Sequence, residues 1–77
     1  MLKPEVGKKY KTIDSEPVSL RYRNRPFVVF GIDREYVHIQ FLDGRQERRN
    51  INTEVFHLRC HPLEWGPKKV INKMKFV

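Results

Sequence analysis

Tyr36-Val37-His38-Ile39-Gln40-Phe41-Leu42, followed by Asp43-Gly44 and the return Arg45-Gln46-Glu47-Arg48-Arg49-Asn50-Ile51, is the stretch on which the fold turns. Val37, Ile39 and Phe41 alternate with polar residues, the period-2 pattern of a half-buried strand. Asp43-Gly44 is a hairpin signal, because both positions tolerate a positive φ. A plain two-residue loop would pair Val37 with Asn50 and push Ile51 off the apolar face. One extra residue pairs Val37 with Ile51 and buries the only apolar residue of the return strand, so a bulged hairpin is expected. The rest of that strand is polar and charged, as suits an exposed edge.

Upstream, Val18-Ser19-Leu20-Arg21-Tyr22-Arg23 alternates and reads as a first core strand, with Leu20 and Tyr22 inward. Asn24-Arg25-Pro26 breaks it as a turn. Phe27-Val28-Val29-Phe30-Gly31-Ile32 has the β-branched and aromatic composition of a central strand, with Gly31 as a bulge or bend, and Asp33-Arg34-Glu35 is a second tight turn. Residues 1–17 read as an N-terminal arm or first strand, with Tyr10 and Ile13 as its apolar points and Asp14-Ser15-Glu16-Pro17 as its closing turn. Downstream, Asn52-Thr53 resembles a helix cap before a short turn carrying Val55, Phe56 and Leu58, which Pro62 ends. These elements give a core over 18–64 and a basic C-terminal tail or last strand over 65–77. In the tail, Val70, Ile71, Met74 and Val77 fit a helix, while Val70, Met74 and Phe76 fit a strand.

Seventy-seven residues allow one domain with a modest core. A lone cysteine, Cys60, excludes an intramolecular disulfide and suits a reducing, cytoplasmic setting. Met1 to Lys11 has no apolar segment, and no run approaches the ~18 apolar residues of a membrane span, so neither a secretory leader nor a membrane partner is expected. Sixteen Lys and Arg against nine Asp and Glu leave a net charge of +7. That excess attracts polyanions and speeds encounter with them.

Four to five short antiparallel strands, one short helical turn and tight connections close most economically into a small barrel, and the expected fold class is mostly β. The run from Val6-Gly7 through Val28 to Ile32, Val37 to Phe41, Asp43-Gly44 and Val55-Phe56 resembles SH3-like β-barrels of the KOW and Tudor kind, over about two-thirds of the chain. The resemblance implies a binding module for RNA, DNA, RNA polymerase or peptides. Val28 to Ile39 followed by a short helix at Thr53 is also loosely similar to the carbon-storage-regulator family of RNA-binding dimers, with Asn52 near that family's basic RNA-contacting position.

The expected nucleic-acid-binding residues are arginines with nearby rings. Arg21, Arg23 and Arg25 alternate along the first core strand and into the turn after it and would project from one face, Arg34 lies in the next turn, and Arg45, Arg48 and Arg49 sit on the return strand. Arginine forks suit phosphate, and alternate strand positions roughly 6–7 Å apart can follow a sugar-phosphate backbone. Tyr36 and Phe27 are the exposed candidates for base stacking, whereas Phe30, Phe41 and Phe56 read as core and Tyr22 as structural. His57, Cys60 and His61, with His38, have metal-binding chemistry but lack paired ligand spacing, so no metal and no cofactor is expected. The chain has no glycine-rich phosphate loop, paired carboxylates or nucleophile motif, and an enzyme is not expected.

The leading reading is a small basic protein that binds nucleic acid, DNA or RNA, through an arginine-rich sheet face. The alternative is an adaptor or inhibitor of viral or host regulatory type that docks on an acidic protein surface, with Trp65, Phe76, Lys68 and Lys69 as partner-binding candidates. A third is a subunit of a ribonucleoprotein or phage-type assembly whose tail orders on assembly. The oligomeric state is left open by the sequence.

Overall fold

In the computed structural model, residues 2–44 and 46–63 are described. Five strands form one antiparallel sheet: β1 (Lys9–Thr12), β2 (Pro26–Ile32), β3 (Tyr36–Phe41), β4 (Arg48–Asn52) and β5 (Cys60–Pro62). Their order is β4-β3-β2-β1-β5. A 3₁₀ turn at Leu20–Tyr22 lies in the long β1–β2 connection. A second, Thr53–Val55, runs into a one-turn helix, α1 (Phe56–Arg59), before β5. The mostly β expectation therefore holds, but the sheet is not closed into a barrel. Its ladders join β4 to β3, β3 to β2, β2 to β1 and β1 to β5, leaving β4 and β5 as the two edges.

The deciding hairpin has the register that burial of Ile51 demands. Val37 pairs with Ile51 and Gln40 with Arg48. The extra residue is taken up in the turn, where Gly44 (φ 52°) and Gln46 (φ 58°) both adopt left-handed backbone. On the other side of β3 the register shifts by one residue between Val29 and Gly31. Phe30 is the additional residue of this bulge. Gly31 then lies opposite His38, and a Cβ there would stand 3.4 Å from the His38 ring.

The residues of 1–17 supply a strand paired on both sides. Tyr10 is buried in it, and the backbone N–H of Glu5 donates to the Tyr10 hydroxyl at 3.0 Å, which satisfies its polar tip. Tyr10, Phe27, Val29, Val37, Ile39, Phe41, Ile51, Phe56 and Cys60 form the core. Its rings make a continuous file. Tyr10 meets Phe56 edge-on at 5.1 Å, Phe27 meets Phe56 and Phe41 edge-on at 6.2 and 6.1 Å, and Phe41 stacks on Tyr22 at 5.8 Å. Asn52 caps the helical segment, its side chain accepting from the N–H of Glu54 at 2.9 Å, and the helix ends at Arg59 before Pro62 enters β5.

Besides the barrel, four further expectations need correction. Residues 18–23 are not a strand. They have no neighbouring strand to pair with, and instead Tyr22 N–H bonds back to Ser19 at 2.9 Å, while the left-handed Asn24 (φ 57°) turns the chain toward β2. Leu20, expected inside, is 80 % exposed as a result. Phe30, expected in the core, is 44 % exposed, because Phe27 and Val29 take the inward positions of β2 and alternation sends the next residue outward. Phe27, expected to be accessible for stacking, is fully buried, since its pairing with Tyr10 and Phe41 faces the core.

Candidate nucleic-acid interface

Thr12 anchors the β1–β2 loop and so decides where its arginines go. Its buried hydroxyl donates to the Tyr22 carbonyl at 2.6 Å and accepts from the Arg25 N–H at 2.8 Å. Held in this way, Tyr22 covers the end of the aromatic file, and three guanidinium groups surround it. Arg21 lies 5.2 Å from the ring centre, and Arg25 and Arg49 each lie 5.8 Å away. Arg25 also sits 4.0 Å over Phe41. Arginines expected on a single strand face thus meet those of the return strand around one tyrosine.

Acidic residues share that cluster. Arg25 forms a fork with Asp43, its terminal nitrogen at 2.9 Å, and reaches Glu47 at 3.5 Å. The hydrogen bond to Asp43 holds the Arg25 proton more tightly and, in turn, lowers the Asp43 pKa. Arg49 donates to the Tyr22 hydroxyl at 3.1 Å and pairs with Glu47 at 2.7 Å. Arg23 is turned inward, its Nε donating to the Val18 carbonyl at 2.6 Å. Much of this arginine set therefore pins the loop to the hairpin, which is a structural duty with little charge to spare.

The opposite, outward face of the sheet is differently built. Strand alternation sends Arg48 there while its neighbour Arg49 joins the Tyr22 cluster. Register carries the same face across the sheet. Arg48 is opposite Gln40, Gln40 opposite Val28, Val28 opposite Lys9, and Lys11 opposite His61. Lys9, Lys11 and Arg48 make no ion pair among the described residues. No Asp or Glu occupies an outward-facing position on the five strands. The Arg48 guanidinium lies 4.7 Å over the Phe30 ring and donates to Gln40 Oε1 at 3.0 Å. Tyr36, 40 % exposed, stands on this face beyond His38, and Arg34 is exposed in the adjacent turn.

His38 ties the face together. Its Nδ1 meets Asn50 Oδ1 and its Nε2 meets Asp33 Oδ2, both at 2.7 Å. The Asp33 hydrogen bond, with that of Asn50 behind it, raises the His38 pKa. Asp33 itself is lowered, first by the backbone N–H of Tyr36 and then by His38.

Between the β1–β2 loop and β3–β4 runs an open groove of about 230 Å³. Val18, Tyr22, Phe41 and Ile51 line its apolar side, and Arg49 and Arg59 line its polar side. The Arg59 Nε is buried without a hydrogen-bond partner. Cys60 and His61 face opposite sides of β5, and burial pushes the Cys60 thiol up to about 12, which leaves it a protonated core residue. Among the described residues no group of three His, Cys, Asp or Glu side chains is placed to hold a metal. Nor does any helix there have the length and apolarity to cross a membrane. Arg45, Trp65, Phe76, Lys68 and Lys69 lie outside the described residues.

The sequence reading missed Lys9, Lys11 and Phe30 as members of one face. The lysines carried a usable signal, since they flank the apolar Tyr10 at period 2. Phe30 did not, because a continuous apolar run has no polar alternation to show which of its residues face inward. Comparison with protein-family models, curated proteins and solved structures finds no match to the chain.

Proposed function

We propose that this protein is a non-enzymatic nucleic-acid-binding module whose contact surface is the outward sheet face carrying Lys9, Lys11 and Arg48 with Phe30 and Tyr36. The observation that carries this reading is that Lys9, Lys11 and Arg48 on the outward face have no carboxylate partner among the described residues, with Asp33 at its rim bonded to His38, in contrast to the Tyr22 cluster, where Asp43 and Glu47 offset the arginines. Cations with no carboxylate partner are those that release counterions from a phosphate backbone most effectively. Arg34, exposed in the turn beside Tyr36, extends the positive field at the rim. In the same reading, the sheet is an opened relative of the SH3-like barrels of the KOW and Tudor kind, with the helical turn before β5 linking its two edge strands. A cytoplasmic location, without cofactor or metal, accompanies this proposal.

The test is a heteronuclear NMR titration with a short oligonucleotide at physiological salt, on wild type and on Lys9→Gln/Lys11→Gln/Arg48→Gln. Shift changes at Lys9, Val28, Phe30, His38, Gln40 and Arg48, abolished in the triple variant, are expected. Changes concentrated at Val18, Tyr22, Arg49 and Ile51 would move the binding surface to the groove, and no change at all would remove nucleic acid as the ligand.

A second reading has its own observation. The groove lining contains Arg49 and Arg59, no carboxylate, and a buried guanidinium nitrogen without a partner. An apolar segment bearing an acidic residue complements it, which favours an adaptor docking on an acidic protein. Binding of a Glu-containing apolar peptide, weakened by Arg59→Gln, is its signature.

A further inference from the structure

The Phe30 bulge narrows the ligand class. Phe30 is the extra residue of the β2 bulge, an aromatic ring 44 % exposed in the middle of the basic face. Burial does not account for it, since Val29 and Phe27 already fill the core side of the strand. Instead its neighbours are Arg48, 4.7 Å over the ring, and the His38 ring at 6.1 Å. Tyr36 follows two residues from His38 along β3, roughly 7 Å further on. A guanidinium and three rings on one open surface form a set of flat groups at about the spacing of nucleotides in an extended strand.

Such groups have little to offer a duplex, whose bases are already stacked on each other and present only their edges. Unstacked bases can lie on an exposed ring or on a guanidinium plane, and phosphates between them can meet Lys9 and Lys11. We infer that the outward face is a single-strand-selective nucleic-acid site in which one base stacks on the Phe30–Arg48 layer and the next lies toward Tyr36. This rests on the proposed nucleic-acid reading and specifies its ligand as unpaired DNA or RNA.

The experiment is fluorescence anisotropy with labelled oligothymidine, oligouridine of the same length and a duplex of matched length, on wild type, Phe30→Ala and Phe30→Trp. Either single strand is expected to bind at least about tenfold more tightly than the duplex, and Phe30→Ala to weaken it by roughly 5- to 100-fold. The salt slope stays as in wild type, because the substitution removes no charge, and Phe30→Trp retains wild-type affinity or exceeds it. The thymidine and uridine arms separate DNA from RNA as the source of the single strand. Thermal melts of the two variants, similar to wild type for a half-exposed residue, exclude loss of fold as the cause. Equal affinity for single strand and duplex, with Phe30→Ala neutral, overturns the single-strand inference while leaving the nucleic-acid reading in place. Absence of binding to all three probes at physiological salt overturns both.

Discussion

Between Asp33 and Asn50 the His38 ring meets an oxygen acceptor at each nitrogen, which only the imidazolium satisfies at both. Its raised pKa has a direct consequence for stability. The contribution is fully present below the unfolded-state value of 6.5 and is lost as pH rises through the raised folded value. Asp33 works in the other direction: its contribution is present above 3.8 and is lost as pH falls through its lowered value. Wild-type thermal stability is therefore expected to decline on the alkaline side of 6.5 by more than in Asp33→Asn, and the NMR titration of His38 to have a midpoint above 6.5. A midpoint at or below 6.5 would contradict the bridging geometry. Other residues divide sharply by position. Phe27→Ala removes a buried ring that touches Tyr10, Phe41 and Phe56, and is expected to cost roughly 3–5 kcal/mol. That is a large share of the stability of a chain this small. Leu20→Ala, on the exposed 3₁₀ turn, should stay within about 0.5 kcal/mol in urea denaturation.

At the scale of elements, the β3–β4 turn offers the cleanest test of backbone chemistry. Gln46 holds a left-handed conformation that glycine adopts without the Cβ penalty, so Gln46→Gly is expected to raise stability by up to about 1 kcal/mol. Gly44→Ala, in open space but at φ 52°, should lower it by a similar amount. Urea midpoints check both. This hairpin is also where the sequence was most informative. Only one register buries Ile51, and that constraint is local enough to be reasoned from residues 36–51 alone. A bulge or bend near Gly31, the Asp33–Glu35 turn and the Asn52 cap were legible for the same reason, since each depends on a few neighbouring residues. Residues 18–23 were not. Their alternation satisfies the period of a strand, but a strand also needs a partner, and no property of the six residues reveals that the sheet has none to offer there. In the folded chain Val18 and Tyr22 still turn inward, while Leu20 between them is left in solvent. Phe30 was misplaced by a single residue of register, which reverses the face of a side chain.

Across the whole molecule, the net charge of +7 is unevenly distributed. Around Tyr22, Arg25 and Arg49 are tied to Asp43 and Glu47 and fasten the long β1–β2 loop to the hairpin. On the outward face, Lys9, Lys11 and Arg48 come from distant parts of the chain and are brought to one surface by the order β4-β3-β2-β1-β5. Composition announced an attraction to polyanions, but only the fold separates cations that hold the structure from cations facing solvent without acids beside them. The proposed function depends on that separation. The salt dependence of single-strand binding tests it most directly, comparing wild type with Lys9→Gln/Lys11→Gln/Arg48→Gln and with Arg21→Gln/Arg25→Gln/Arg49→Gln. The first variant is expected to flatten the slope of log K against log salt by roughly two units, at about 0.7 for each phosphate no longer neutralised. The second should change it by less than the first. A slope that flattens only in the second variant, or no measurable binding by wild type at physiological salt, would contradict the claim.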